Sequence, residues 1–119
     1  MGKDGRREKL MDSITTTDAG VTSTVKSGLL ESKGVLLLIK EEGDNDIEYQ
    51  VEVCPDFDLV GVGSDDATRE WYTLLAWTDL ATSASIPLSI SDKWDAVRVK
   101  ARSNVSAAHG TVSVWCQKR

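Results

Sequence analysis

The clearest alternation of apolar and polar positions lies near the end of the chain. Val97, Val99 and Ala101 alternate with Arg98, Lys100 and Arg102; beyond Ser103 to Gly110, Val112, Val114 and Cys116 alternate with Thr111, Ser113 and Trp115. A period of two sends one set to a core and the other outward, so Trp94 to Cys116 reads as a half-buried antiparallel pair with a polar connection. Upstream, Ile47, Tyr49, Val51 and Val53 alternate with Glu48, Gln50 and Glu52. Val35 to Ile39 is apolar on both phases, which suits a central strand or one with both faces covered. The acidic, glycine-containing stretch Glu41 to Asp46 between these two predicts a hairpin.

Further elements follow the same logic. A short first strand is expected over Thr22–Ser27, after the turn signal Asp18-Ala19-Gly20, and Ser32-Lys33-Gly34 marks the next turn. Pro55-Asp56 ends the strand that contains Val53. Phe57 to Val62 suits another short strand, and Ala67 to Arg69 a single helical turn after the Gly61 to Asp66 loop. Glu70 to Thr78 carries Trp71, Leu75 and Trp77 on one phase and Tyr72, Leu74 and Ala76 on the other. Its aromatic content favours a buried strand with core tryptophans over a helix. Ile86, Leu88 and Ile90 alternate around Pro87, which places their strand at a sheet edge or at its own start. Strands at eight-to-twelve-residue spacing predict an all-β domain, an antiparallel β-sandwich or jelly roll of about seven or eight strands.

Composition refines this. Residues 1–11 carry four basic and two acidic side chains, residues 12–92 four and sixteen, and residues 93–119 six and one. Met1 to Asp12 is polar and charged, which predicts a flexible arm (residues 1–12) ahead of a single domain (residues 13–119). Lys3, Arg6, Arg7 and Lys9 would make that arm's contacts. The acidic middle argues against nucleic-acid binding, since phosphate affinity needs a continuous basic surface. The longest apolar run, Val35 to Ile39, is too short to span a bilayer, and the polar N-terminus is unlike a signal peptide. A chain made in the cytoplasm without export is expected, with Cys54 and Cys116 on opposite phases as free thiols.

Catalytic chemistry has little to stand on. His109 is the single histidine, with no nucleophile motif nearby, and two distant cysteines with one histidine make no zinc set. No glycine-rich phosphate loop is present. The expectation is no enzyme and no cofactor. Carboxylates in flexible loops suit calcium, and Asp44 and Asp46 are the candidates, although the spacing departs from an EF-hand. Trp94 and Trp115 fall on the outward phase with Arg98, Lys100 and Arg102, where they would fill a subunit interface or stack on a sugar. The plainer alternatives are edge rings tucked under a loop, or a bulge that shifts the phase.

The segment SDKWDAVRVKARSNVSAAHGTVSVWCQKR resembles the C-terminal end of small bacteriophage virion proteins, in which a Trp/Tyr-Asp-x-Val-Arg-Val strand precedes a Gly-Thr-Val-x-Val strand. The likeness covers about Asp92 to Gln117 and is a strand-pairing pattern. It implies a head-decoration, capsid-auxiliary or tail-associated β-sandwich that assembles in symmetric copies within the virion. Its partners would be itself and a major capsid or tail protein. The alternative reading from the residues is a carbohydrate-binding module using Trp94 and Trp115, with calcium in an acidic loop.

Overall fold

A computed structural model describes residues 7–29, 33–55, 70–91 and 94–119. Eight strands run in the order β1 (Arg7–Thr15), β2 (Val21–Thr22), β3 (Val35–Glu41), β4 (Ile47–Cys54), β5 (Tyr72–Leu80), β6 (Ser85–Ile90), β7 (Ala96–Ser103) and β8 (Thr111–Lys118). They form two four-stranded antiparallel sheets. Sheet A has the order β1-β8-β3-β6 and sheet B the order β2-β7-β4-β5, so this is a β-sandwich. Its two interleaved sheets follow the double Greek-key path of a jelly roll. Among the described residues no helix is long and apolar enough to cross a membrane.

The core is made where the inward phases meet. Leu37 and Ile39 of β3 and Val112, Val114 and Cys116 of β8 face Ile47, Tyr49, Val51 and Val53 of β4 and Val97, Val99 and Ala101 of β7, all buried. Each full burial of such a side chain stabilises the fold by about 1.5–3 kcal/mol. The inward phases read from the sequence for β4, β7 and β8 hold, and Pro87 does lie on an edge strand, β6. Cys54 and Cys116 are both free and buried.

Pairing departs from the expected hairpins. β3 and β4 lie in different sheets, as do β7 and β8, so Glu42 to Asp46 and Asn104 to Gly110 are crossovers between layers. A two-residue period fixes which face a side chain takes and leaves the partner strand open. Among the described strands, β4 and β5 alone are both consecutive and paired.

The flexible arm is also corrected. Residues 7–12, assigned to it, belong to β1, which pairs along β8 from Arg7↔Gln117 to Thr15↔Thr111 with two register shifts. Those irregularities, with Ser13 at φ 50°, break the alternation that would have marked a strand. Residues 1–6, with Lys3 and Arg6, lie outside the described residues. So do the Phe57–Val62 strand, the turn at Ala67 to Arg69 and the acidic residues Asp56, Asp58, Asp65 and Asp66. The strand expected over Thr22–Ser27 is shorter and shifted: β2 is Val21–Thr22, followed by the Ser23 N–H bond to Val99 and an isolated bridge between Lys26 and Val97.

Four loops gather at one end of the sandwich, and Glu41 ties three of them. Its buried carboxylate accepts backbone N–H groups from Gly43 (2.7 Å), Asp44 (3.0 Å), Ser83 (2.9 Å) and Thr111 (3.1 Å). Burial alone would push its pKa up. The donors from Ser83, Thr111, Asp44 and Gly43 together hold it below the ordinary value. Gly110 permits the close approach, because a Cβ there would stand 2.5 Å from the Ile47 side chain and 2.7 Å from the Asn45 carbonyl. At the opposite end Gly34, at φ 115°, leaves no room for a side chain, whose Cβ would meet the Ile90 carbonyl oxygen at 2.3 Å.

Candidate functional site: two unlike outer faces

On the outer face of sheet B the charges of β7 and β4 pair across the strands. On β7, Arg98 Nε donates to Glu52 Oε1 at 2.8 Å and Arg102 Nε to Glu48 Oε1 at 2.6 Å, while the Lys100 ammonium stands 3.9 Å from Glu52. The register Glu52↔Arg98 and Glu48↔Arg102 places these charges directly opposite one another. Both guanidiniums also lie over tryptophan rings, Arg98 over Trp71 at 4.1 Å and Arg102 over Trp77 at 4.0 Å. Trp71 and Trp77 are therefore half-buried on the outside of the sandwich and not in its core. The expected buried strand is an edge strand, with Tyr72 49% and Leu74 42% exposed. Two register irregularities between β4 and β5 broke the phase on which the core placement rested.

Sheet A presents the opposite chemistry. Register places Leu38 between Trp115 of β8 and Pro87 of β6, and Leu36 beside Gln117 and Ser89. Leu36, Leu38 and Trp115 are half-buried, with Pro87 exposed beside them. With Arg7 and Gln117 they line a shallow groove of about 160 Å³. Cations run along its β1 side, where the Lys9 ammonium lies 5.1 Å from the centre of the Trp115 ring and 2.7 Å from Asp12. Leu36 and Leu38 were legible as apolar, but an all-apolar phase also describes a strand covered on both faces. Nothing else in the chain marked them as the exposed side.

The remaining sequence-predicted residues scatter. Trp115 is outward as expected. Trp94 is half-buried and packs against the core, because it enters just ahead of β7 where the phase of the strand does not yet apply. Trp115 and the row Arg98, Lys100 and Arg102 thus lie on different sheets, and Trp94, packed against the core, joins neither in a common surface. Ser113, expected outward, is buried and accepts the Ser13 N–H at 2.9 Å through the β1 irregularity. Asp44 accepts the Thr111 hydroxyl, and Asp46 accepts both the N–H and hydroxyl of Thr82 at 2.8 and 2.7 Å. The Thr82 hydroxyl and N–H hold the Asp46 carboxyl below its ordinary value. Among the described residues no group of three or more His, Cys, Asp and Glu side chains is placed to hold a metal ion.

His109 does approach a serine and an aspartate, in a geometry unlike a nucleophile relay. Its Nδ1 is 2.8 Å from Ser103 Oγ and 4.0 Å from Asp18 Oδ1, whereas a relay needs those partners on opposite ring nitrogens. Ser103 Oγ is in turn 3.0 Å from buried Thr16 Oγ1, which accepts the Gly110 N–H. This chain of hydroxyls latches the loop after β1 to the loop after β7. Burial, with Glu8 nearby, pushes the Cys116 thiol up to about 11, which keeps it protonated.

The chain matches no protein-family model and no curated protein. Similar solved structures include PirA (15% identity, 92% of this chain and 94% of that one, TM-score 0.55). A mitogen from Yersinia pseudotuberculosis shares 10% identity over 97% of this chain and 87% of its own, TM-score 0.55. A chain of the sacbrood virus of honeybee shares 9% identity over 96% and 83%, TM-score 0.49, a likeness that carries no weight here. At these identities the likeness to PirA and the mitogen shows the sandwich fold alone.

Proposed function

We propose that the protein is a non-enzymatic virion structural subunit, a phage head-decoration, capsid-auxiliary or tail-associated component acting by multivalent protein–protein contact. Its partners are further copies of itself and a capsid or tail protein, met in the virion after synthesis in the host cytoplasm. The observation that carries the contact surface is the Leu36, Leu38, Pro87 and Trp115 row on sheet A, set against a second face whose arginines are already paired. Support for the virion setting is the likeness of the closing segment to virion proteins.

Size decides how such a face would be used. Four strands at about 4.8 Å spacing and seven residues at about 3.3 Å cover roughly 400 Å² of flat sheet. A stable two-body interface buries about 800 Å² per partner. One face is thus small for a tight dimer and suited to many weak contacts repeated by symmetry.

Light scattering over a concentration series, at low and high salt, tests this. The expected result is a mass that rises with concentration to a defined oligomer. Salt should leave it unchanged, because the contact is apolar and sheet B's charges are engaged within the chain. Leu38→Glu should return it to a monomer. A wild-type monomer at every concentration, or an oligomer indifferent to Leu38→Glu, overturns the assignment of this face.

A further inference from the structure

The loop end of the sandwich holds a second concavity that is polar, on the sheet B side, and unrelated to the sheet A face. It holds about 250 Å³ and is lined by Asp18, Glu48, Arg102, Ser103, Asn104 and Ser106. Three separate stretches supply these residues: the loop after β1, the start of β4, and the end of β7 with the loop that follows. Loops positioned by a rigid scaffold are where sandwiches place binding groups.

We infer that this groove is a subsite for a neutral saccharide, taking a single sugar unit. The polar groups are fixed before any ligand arrives. The Arg102 guanidinium is held between Glu48 (2.6 Å) and the Trp77 ring (4.0 Å), and only one of its five N–H donors, Nε–H, makes the Glu48 bond. Asp18 accepts the Ala107 N–H and the Ser106 hydroxyl, both at 3.0 Å. Ala107 N–H, then the Ser106 hydroxyl, hold its carboxyl below the ordinary range, so it stays ionised at neutral pH. Asn104 is exposed, and its side-chain amide makes no hydrogen bond with the other described residues. It brings both a donor and an acceptor.

Charge and size select the ligand class. Two carboxylates against one guanidinium leave the groove slightly negative, which disfavours phosphates and sugar acids. The guanidinium in its wall opposes a free cation. A neutral polyol, each of whose hydroxyls both donates and accepts, meets carboxylate, amide and guanidinium together. The volume, below the about 300–1,000 Å³ of clefts for drug-sized ligands, suits one ring.

The test is NMR of the full chain titrated with glucose, galactose, mannose and N-acetylglucosamine, with inorganic phosphate as the charged control. At least one neutral sugar should shift the amides of Asp18, Asn104 and Ser106 at millimolar concentration. Glu48→Gln should weaken that binding about tenfold or more, the loss of one hydrogen bond to a charged acceptor. Asn104→Ala, at an exposed position with no packing role, should weaken it while leaving the spectrum of the free protein intact. No shift with any of these sugars at about 100 mM overturns the assignment. So does a response to phosphate alone, or shifts confined to the Trp115 groove. Because Leu38→Glu leaves this end untouched, sugar binding and self-association fail or hold separately.

Discussion

The two outer faces of this sandwich are built on the same period and mean different things. On sheet B the outward row is charged, yet each arginine is matched by a glutamate one strand away and covered by or laid on a tryptophan. On sheet A the outward row of β3 carries Leu36 and Leu38, and Leu38 meets apolar neighbours on both sides, Trp115 and Pro87. A charged row therefore need not seek a partner, while an apolar one gains only when something covers it. The contrast reverses the simplest expectation for the basic residues Arg98, Lys100 and Arg102, which serve their own sheet.

The sharpest way to break the comparison is to exchange the character of one position on each face. Leu38→Glu on sheet A should abolish self-association in light scattering, whereas Lys100→Glu on sheet B should leave the mass unchanged. Next in size is Glu41→Gln, which acts on neither face but on the loop end that supports both. Leaving its backbone donors with a weaker acceptor should lower stability by about 1–3 kcal/mol in urea denaturation. The sign with pH follows from the lowered folded pKa. Its contribution is present above the ordinary glutamate pKa and is lost as pH falls through the lower folded value, so the gap between variant and wild type should shrink as the solution is acidified below the ordinary glutamate range.

Arg98→Ala should cost about 1–2 kcal/mol, because Glu52 is only 12% exposed and loses its closest cation. A double-mutant cycle with Glu52→Gln separates the pair from the contact with Trp71. The smallest effect is expected for Lys100→Ala, within about 0.5 kcal/mol, since its ammonium is 36% exposed and only grazes Glu52 at 3.9 Å. If Lys100→Ala and Arg98→Ala cost the same, sheet B is an ordinary solvated surface and the contrast between the faces dissolves.

Which side chains point inward was legible wherever a strand kept its period, as in Ile47 to Val53 and Val97 to Ala101. It failed where the backbone carries an extra residue. The irregularities in β1 hid a strand inside what read as an arm, and those between β4 and β5 sent Trp71 and Trp77 outward. Strand partners were not legible, because Glu41 to Asp46 has the chemistry of a hairpin turn and the role of a crossover. Glu41 itself looked like one carboxylate among several. Only the position of its carboxylate beneath three loops separates it from Asp44 and Asp46. Of the contact surface, Trp115 could be read from its phase, whereas Leu36, Leu38 and Pro87 needed the sheet order.

The placement of β8 between β1 and β3 has a consequence for how the molecule is made. Val35 to Ile39 leaves the ribosome early, but one of its two strand partners is the eighth strand and emerges last. At about 5–20 residues per second, those five apolar residues wait for several seconds with a ladder edge open. Sheet A can close only after β8 has been made, so its completion is slow, as non-local strand pairing demands. A chain lacking β8 leaves both β1 and β3 with an unpaired ladder edge, the kind of edge that other chains can pair with.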